Sequence, residues 1–162
     1  MKIEKIDHAH ILIKNEHLEE AIRRFSDVMG TIWVGPLDGG DVRTAFDNAG
    51  LEFLAPTAPD NLFAKQINKT GEGIFSIAFK VPDLDEAIAE LEAKGIKCIL
   101  TWECANCRAA QFNLANAYGI RAAQFDPAGI FGTRIELVEY DTVAPVALAN
   151  LKKVSEVPFF RG

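Results

Sequence analysis

The chain repeats itself, and this limits its fold more than any other feature. The segment Asp7-His8-Ala9-His10-Ile11-Leu12-Ile13 precedes a helical pattern with apolar residues at Leu18, Ala21, Ile22, Phe25, Val28 and Met29. The segment Phe75-Ser76-Ile77-Ala78-Phe79-Lys80-Val81 precedes Leu84, Ala87, Ile88 and Leu91. Both patterns have the i, i+3, i+4, i+7 spacing of an amphipathic helix with one buried stripe, and they run to Gly30 and Gly95. Asp83, with Glu86 three residues on, predicts a capping box, and Asn15 predicts a looser cap for the first helix. A second echo follows each helix: Ala45-Phe46-Asp47-Asn48-Ala49-Gly50 against Gln124-Phe125-Asp126-Pro127-Ala128-Gly129. Strands bearing Glu52 and Glu136 come next, with Ile130 to Arg134 as five extra residues in the second copy.

The pattern therefore predicts an α+β chain of two βαβββ modules, residues 5–57 and 73–140. A linker at 58–72 carries a short helix over Asn61 to Asn68. A tail at 141–162, with a short helix over Ala147 to Lys153, is expected to pack on the body or a partner, since Phe159 and Phe160 would otherwise form an apolar patch. At 162 residues each module is too small to hold a core alone. A net charge of −6 gives no footprint for nucleic acid or an anionic membrane, so a small-molecule substrate is the expected partner. Three cysteines behind an N-terminus without an apolar signal core predict a reducing, cytoplasmic setting. Cys104-Ala105-Asn106-Cys107 is a single C-x-x-C, read as part of a loop at the mouth of the site.

Strand alternation sorts the polar residues. His8, His10 and Leu12 share one face, while Ala9, Ile11 and Ile13 face the helix. Ser76 stands 68 residues from His8, as Val81 does from Ile13, so Ser76 is the repeat mate of His8. Glu52 and Glu136 are mates set among apolar neighbours, where an acid is costly unless paired, protonated or bound to a cation. Two such acids predict one shared site. His10, about 7 Å along the strand from His8, is expected to lie in the site but beyond ligand reach, as a general base or a hydrogen-bond partner of the substrate. His17 is expected to be a solvated residue at the start of the helix.

Ile6-Asp7-His8, Glu52-Phe53-Leu54-Ala55-Pro56, Gly71-Glu72-Gly73-Ile74 and Ile135-Glu136-Leu137-Val138-Glu139-Tyr140 resemble the vicinal oxygen chelate superfamily, nearest its methylmalonyl-CoA epimerase-like branch, over Ile6 to Tyr140. The resemblance implies a half-open, eight-stranded β cup, a homodimer, and a divalent metal (Mn, Fe, Co, Ni or Zn) held by His8, Glu52 and Glu136. Ser76 falls where the family has its second His, leaving one nitrogen and two carboxylate ligands. The implied activity is that of an epimerase, isomerase or lyase, methylmalonyl-CoA epimerase-like or lactoylglutathione lyase-like. The metal would stabilise an enolate-like species of a carbonyl or thioester substrate while Glu136 or His10 moves the proton. The branch carries an acidic base on its third strand; here that place is taken by Arg43 and Thr44, and Arg43 is expected to bind a substrate carboxylate or phosphate, beside Ser76 as a second substrate contact. The alternatives are a drug-binding protein of the bleomycin-resistance type and, with one His aligned, a ring-cleavage dioxygenase.

Overall fold

In the computed structural model the residues described are 1–104, 109–111 and 115–145, with side chains for 1–101 and 121–140. The first module runs β1 (Lys5–Leu12), α1 (Leu18–Met29), β2 (Trp33–Asp38), β3 (Val42–Asp47) and β4 (Leu51–Pro56). After α2 (Leu62–Thr70) the second runs β5 (Gly73–Lys80), α3 (Leu84–Ala93), β6 (Cys98–Cys104), the short β7 (Ala109–Gln111), β8 (Ala115–Phe125) and β9 (Ile135–Pro145). The strands form one open sheet in the order β2-β3-β4-β1-β5-β9-β8-β6, with β7 paired to β8. The two halves of that order mirror each other across the antiparallel β1–β5 pair, and each half closes on a parallel pair, β1 with β4 and β5 with β9.

α1 and α3 each cover the outer face of their own half. Ile11, Ile13, Leu18, Ala45, Phe53 and Ala55 form one core under α1, and Val81, Leu84, Ala87, Leu91, Ala123, Phe125 and Leu137 form its counterpart under α3. The caps that begin and end the helices are local. Asp83 accepts from the Glu86 N–H at 2.9 Å, Asn61 accepts from the Phe63 N–H at 2.7 Å, and Gly30 ends α1 in the left-handed region at φ 68°. Asn15 does not cap α1 as predicted. A 3-10 turn, Asn15–His17, intervenes, and the Asn15 side chain instead accepts from the Arg43 guanidinium at 3.1 Å. On the inner face, α2 seals one end of the sheet over Leu12, Leu54 and Phe75 through Ile67 and Phe63.

Two irregularities shape the inner face. Between the Ile6 and His8 rungs β1 carries one extra residue, Asp7, and between the Ile74 and Ser76 rungs β5 carries one extra residue, Phe75. Asp7 and Phe75 stand 68 residues apart, so both copies of the repeat keep a bulge at the same place. The turn echo, in contrast, slips by one residue. Phe46 lies opposite Glu52 and Gln124 lies opposite Glu136, so the structural mate of Phe46 is Gln124 rather than Phe125. A one-residue slip exchanges the faces of a strand, which puts Phe125 in the α3 core and Gln124 beside Glu136. The predicted tail helix and Phe159-Phe160 lie outside the described residues.

Phe53 is fully buried, stacked on Trp33 with ring centroids 4.2 Å apart and meeting Phe25 edge-on at 5.1 Å. Phe53→Ala is therefore expected to cost about 3–5 kcal/mol and to lower the thermal midpoint by roughly 6–20 °C, as read by calorimetry.

Candidate functional site

Four adjacent strands, β4-β1-β5-β9, bring the polar residues of the inner face together in two cross-strand rows. Glu52, His10 and Ser76 make one row, and His8, Ala78 and Glu136 make the other. The repeat exchanges the rows end for end: Glu52 corresponds to Glu136, Ser76 to His8, and His10 to Ala78. Each row thus holds one imidazole and one carboxylate, and the small Ala78, fully buried, takes the place that mirrors His10.

The imidazoles converge. His8 Nε2 and His10 Nε2 are 2.9 Å apart, with the rings edge to face at a centroid distance of 4.4 Å. Glu52 Oε2 lies 3.5 Å from both nitrogens and Glu136 Oε1 lies 3.9 Å from both. The two glutamates therefore point to the same face. The outer ends of the groups are tethered: His8 Nδ1 to Asp7 Oδ2 at 2.9 Å, and His10 Nδ1 to Ser76 Oγ at 2.7 Å. Thr44 Oγ1 donates to Glu52 Oε1 at 2.9 Å, and Gln124 Nε2 donates to Glu136 Oε2 at 3.0 Å. Glu136 Oε1 is left buried with no hydrogen-bond partner.

Charge follows from this packing. Burial disfavours the His10 imidazolium, but the charges of Glu136 and Glu52 outweigh it and raise the His10 pKa. Burial opposes ionisation of Glu52 too, yet the His10 and Thr44 hydrogen bonds and the two imidazoles hold its pKa below the ordinary range. For Asp7, the His8, Lys5 and Tyr140 hydrogen bonds overcome burial and hold the carboxyl well down, whereas burial and Asp7 push the Tyr140 phenol well up.

A cation fits this arrangement. Two Nε2 atoms face one another beside a buried carboxylate oxygen that lacks a donor, and lone pairs so placed repel unless a proton or metal ion lies among them. One ligand atom each from His8, His10 and Glu136 lies within 4.8 Å of the others. Two imidazoles with carboxylate oxygens suit Mn, Fe, Co, Ni or Zn.

Some sequence expectations are met differently. His10 is not beyond ligand reach: it pairs across the strands with Ser76, and its ring leans along β1 to meet that of His8. The distance between backbone positions overstated the gap between ring tips. Arg43 is not in the site. Alternation sends Thr44 to the inner face and Arg43 to the outer one, where it pairs with Glu19 Oε1 at 2.5 Å. His17 tethers the start of α1 to Glu72, with Nδ1 3.0 Å from Oε1. Of the Cys104–Cys107 segment, residues 105–107 lie outside the described residues. Asp7, Gln124 and Tyr140 join the site without having been singled out, and Thr44, noted only as standing in the place of a base, joins it as the partner of Glu52; the Gln124 signal was hidden by the one-residue slip in the turn echo.

An open mixed sheet built from two βαβββ halves, with histidines and glutamates gathered where the halves meet, defines a recognisable class. The model of the Glyoxalase/Bleomycin resistance protein/Dioxygenase superfamily matches residues 8–127, and the chain belongs to that superfamily. No curated protein matches the chain. Among solved structures it is similar to a hypothetical protein from Bacillus halodurans, with 26% identity over 86% of this chain and 96% of that one and a TM-score of 0.72. It is similar also to methylmalonyl-CoA epimerase from Mycobacterium tuberculosis, at 25% identity over 90% of each chain and a TM-score of 0.67. A Streptomyces coelicolor methylmalonyl-CoA epimerase variant in complex with 2-nitronate-propionyl-CoA is similar at 25% identity, over 85% of this chain and 98% of that one, with a TM-score of 0.69. Among the described residues no helix is long and apolar enough to cross a membrane.

The Arg43–Glu19 pair joins a half-buried guanidinium to a largely exposed carboxylate, at 26% and 60% side-chain exposure. Arg43→Gln is expected to change stability by about 1 kcal/mol or less in urea unfolding and to leave ligand binding on the inner face unaltered.

Proposed function

We propose that the chain is a divalent-metal-dependent isomerase or lyase acting at a carbon beside a carbonyl or thioester group. The observation that carries this reading is the buried, unpartnered Glu136 Oε1 facing two convergent imidazoles. His8, His10 and Glu136 are the residues we assign to hold the metal. The ion would supply Lewis-acid stabilisation of negative charge gathering on the substrate's carbonyl oxygen. His10 then stands in for the imidazole missing at Ser76: it lies in the same cross-strand row, one strand over, and the Ser76 hydroxyl steadies its far nitrogen.

This changes the roles assigned from the sequence, where Glu52 was a ligand and Glu136 or His10 the proton carrier. A base has to meet its substrate, and the Glu52 side chain is 19% exposed against 2% for Glu136. Thr44 holds one Glu52 oxygen and leaves the other toward the cluster, and the low pKa keeps it a carboxylate at neutral pH. Glu52 would take the proton from the carbon and deliver it either to the neighbouring atom or, once the planar enolate-like species has turned over in the site, to the opposite face of the same carbon. With Arg43 and Thr44 at the place on β3 where the branch has its acidic base, and Asp47 tied to the Ala49 and Leu51 N–H groups of the next turn, one base serving both steps fits this site. The similarity to methylmalonyl-CoA epimerases, one of them in complex with 2-nitronate-propionyl-CoA, makes methylmalonyl-CoA the first substrate to try.

Arg134 is the candidate for an anionic end of that substrate, the role given to Arg43 from the sequence. It lines a cavity of about 330 Å³ with Leu12, Gln66, Gly73 and Phe75. Its guanidinium lies 4.8 Å from the centre of the Phe75 ring, and its hydrogen bond to Gln66 is long, at 3.4 Å. Arg23, Arg24, Arg43 and Arg121 all pair with carboxylates, and among the described residues Arg134 has no such partner.

A second reading has its own observation. Two histidines and one carboxylate are the set used by non-haem ferrous oxygenases, so the count of one aligned His no longer weighs against a ring-cleavage dioxygenase. Oxygen uptake by the iron-loaded protein with a catechol would favour that reading over the isomerase.

Metal analysis with isothermal titration tests the site. Stoichiometric Mn, Co, Ni or Zn is expected, with His10→Ala weakening it about tenfold or more, equal to about 1.4 kcal/mol, and His10→Ala/Ser76→His recovering most of the loss. Because His10 binds its proton more tightly than an ordinary imidazole, affinity should fall as pH drops through its raised pKa. Glu52→Gln should keep the metal yet slow α-proton exchange in D2O about 10²-fold or more, read by NMR. Metal binding that His8→Ala and Glu136→Ala leave unchanged would refute the assignment.

A further inference from the structure

Asp7 is a buried carboxylate with a task that the repeat does not explain. Its mate in the second module is Phe75, and both occupy bulges. One bulge places an aromatic ring under α2, and the other places a carboxylate behind His8. The Asp7 side chain is 1% exposed, yet each of its oxygens is spoken for. Oδ1 accepts from the Tyr140 hydroxyl at 2.5 Å and from Lys5 Nζ at 2.8 Å. Oδ2 faces His8 Nδ1 at 2.9 Å.

The hydrogen positions follow from the donor inventory. A carboxylate that already accepts from an ammonium and a phenol offers its second oxygen only as an acceptor. His8 Nδ1 must then carry the hydrogen, and in the neutral ring Nε2 keeps its lone pair. That lone pair points into the cluster with His10 and Glu136. Lys5 and Lys80 lie over the Tyr140 ring, 5.8 and 4.8 Å from its centre, which holds the phenol against β1 from its face.

We propose that Asp7, its other oxygen held by Tyr140 and Lys5, is a positioning residue that fixes His8 as its Nδ1–H tautomer and so presents Nε2 as a ligand atom. The presentation of a ligand rests on the metal site proposed above; the tautomer does not. A plain structural role, tying β1 to β9, would call for the same hydrogen bonds but would not care which ring nitrogen carries the hydrogen.

The asymmetry of the partners makes Asp7→Asn informative. Tyr140 and Lys5 both donate, so they claim the amide oxygen and leave the amide NH2 facing His8 Nδ1. That nitrogen would have to accept, which moves the ring hydrogen to Nε2 and removes the lone pair from the cluster. Tyr140→Phe keeps the carboxylate and should keep the tautomer.

Long-range 1H–15N NMR of the metal-free, 15N-labelled full chain reads the tautomer directly, and titration with Co or Zn reads the consequence. Expected are Nδ1–H for His8 in wild type and Tyr140→Phe, Nε2–H in Asp7→Asn, and metal affinity about 10–100-fold weaker in Asp7→Asn. Nε2–H in the wild type would overturn the proposal, and so would an Asp7→Asn variant with wild-type tautomer and affinity. The wild-type and Tyr140→Phe spectra keep it falsifiable should Asp7→Asn not fold. A wild type that shows the Nδ1–H tautomer but binds no metal would refute the metal reading and leave the Asp7 assignment standing.

Discussion

The site depends on the antiparallel pairing of β1 with β5. Among the described residues that pair is the only place where the two modules share strand hydrogen bonds in the sheet order, and the parallel partners β4 and β9 are drawn in on either side of it. Its register, His10 opposite Ser76 and His8 opposite Ala78, decides which residues from four strands become neighbours. A shift of one residue would turn the histidines to the outer face, into the apolar cores beneath α1 and α3. Register is fixed because both faces are committed: Ile11 and Ile13 are buried outward and Leu12 inward.

Charges this deep have to be justified by their partners. His8, His10 and Glu136 are all buried, and an isolated ion in such surroundings would be lost to neutralisation. Here the neutral hydrogen-bond partners arrive from different strands: Thr44 on β3 for Glu52, Ser76 on β5 for His10, Gln124 on β8 for Glu136. Each fixes one atom of a charged or titratable group and turns the other atom inward. The outward-facing atoms are thereby satisfied, while Glu136 Oε1 is left facing the two imidazoles without a partner, which suits the proposed metal site better than a structural ion pair.

Much of the architecture was legible because it recurs. The helices, the 68-residue offset and the shared inner face of Glu52 and Glu136 all follow from periodicity and self-similarity, which one chain shows on its own. What was not legible depended on cross-strand detail. The reach of His10 toward His8 comes from side chains leaning along a strand, and a rise per residue contains no such term. Gln124 was hidden because the turn motif matched by eye is offset by one residue from the register, and that offset exchanges the two faces. Asp7 was hidden for the converse reason: strict alternation assigns it outward, and a bulge brings it in.

The departures from symmetry are where the chemistry has been divided. A duplicated module with His at both mates would place its imidazoles at the far ends of the two rows. Here the second row keeps that arrangement at His8, while the first has Ser at the end and His in the middle. The shift of one strand preserves the number of nitrogens but draws them to one side, leaving Glu52, whose row mate now is His10, more open than Glu136. Two acids that the repeat makes equivalent thereby come to differ in solvent access and in partners. That difference favours Glu136 for the proposed ligand role and Glu52 for the proposed base, since the two roles require opposite things: a ligand is best enclosed and fully oriented, and a base has to reach the substrate.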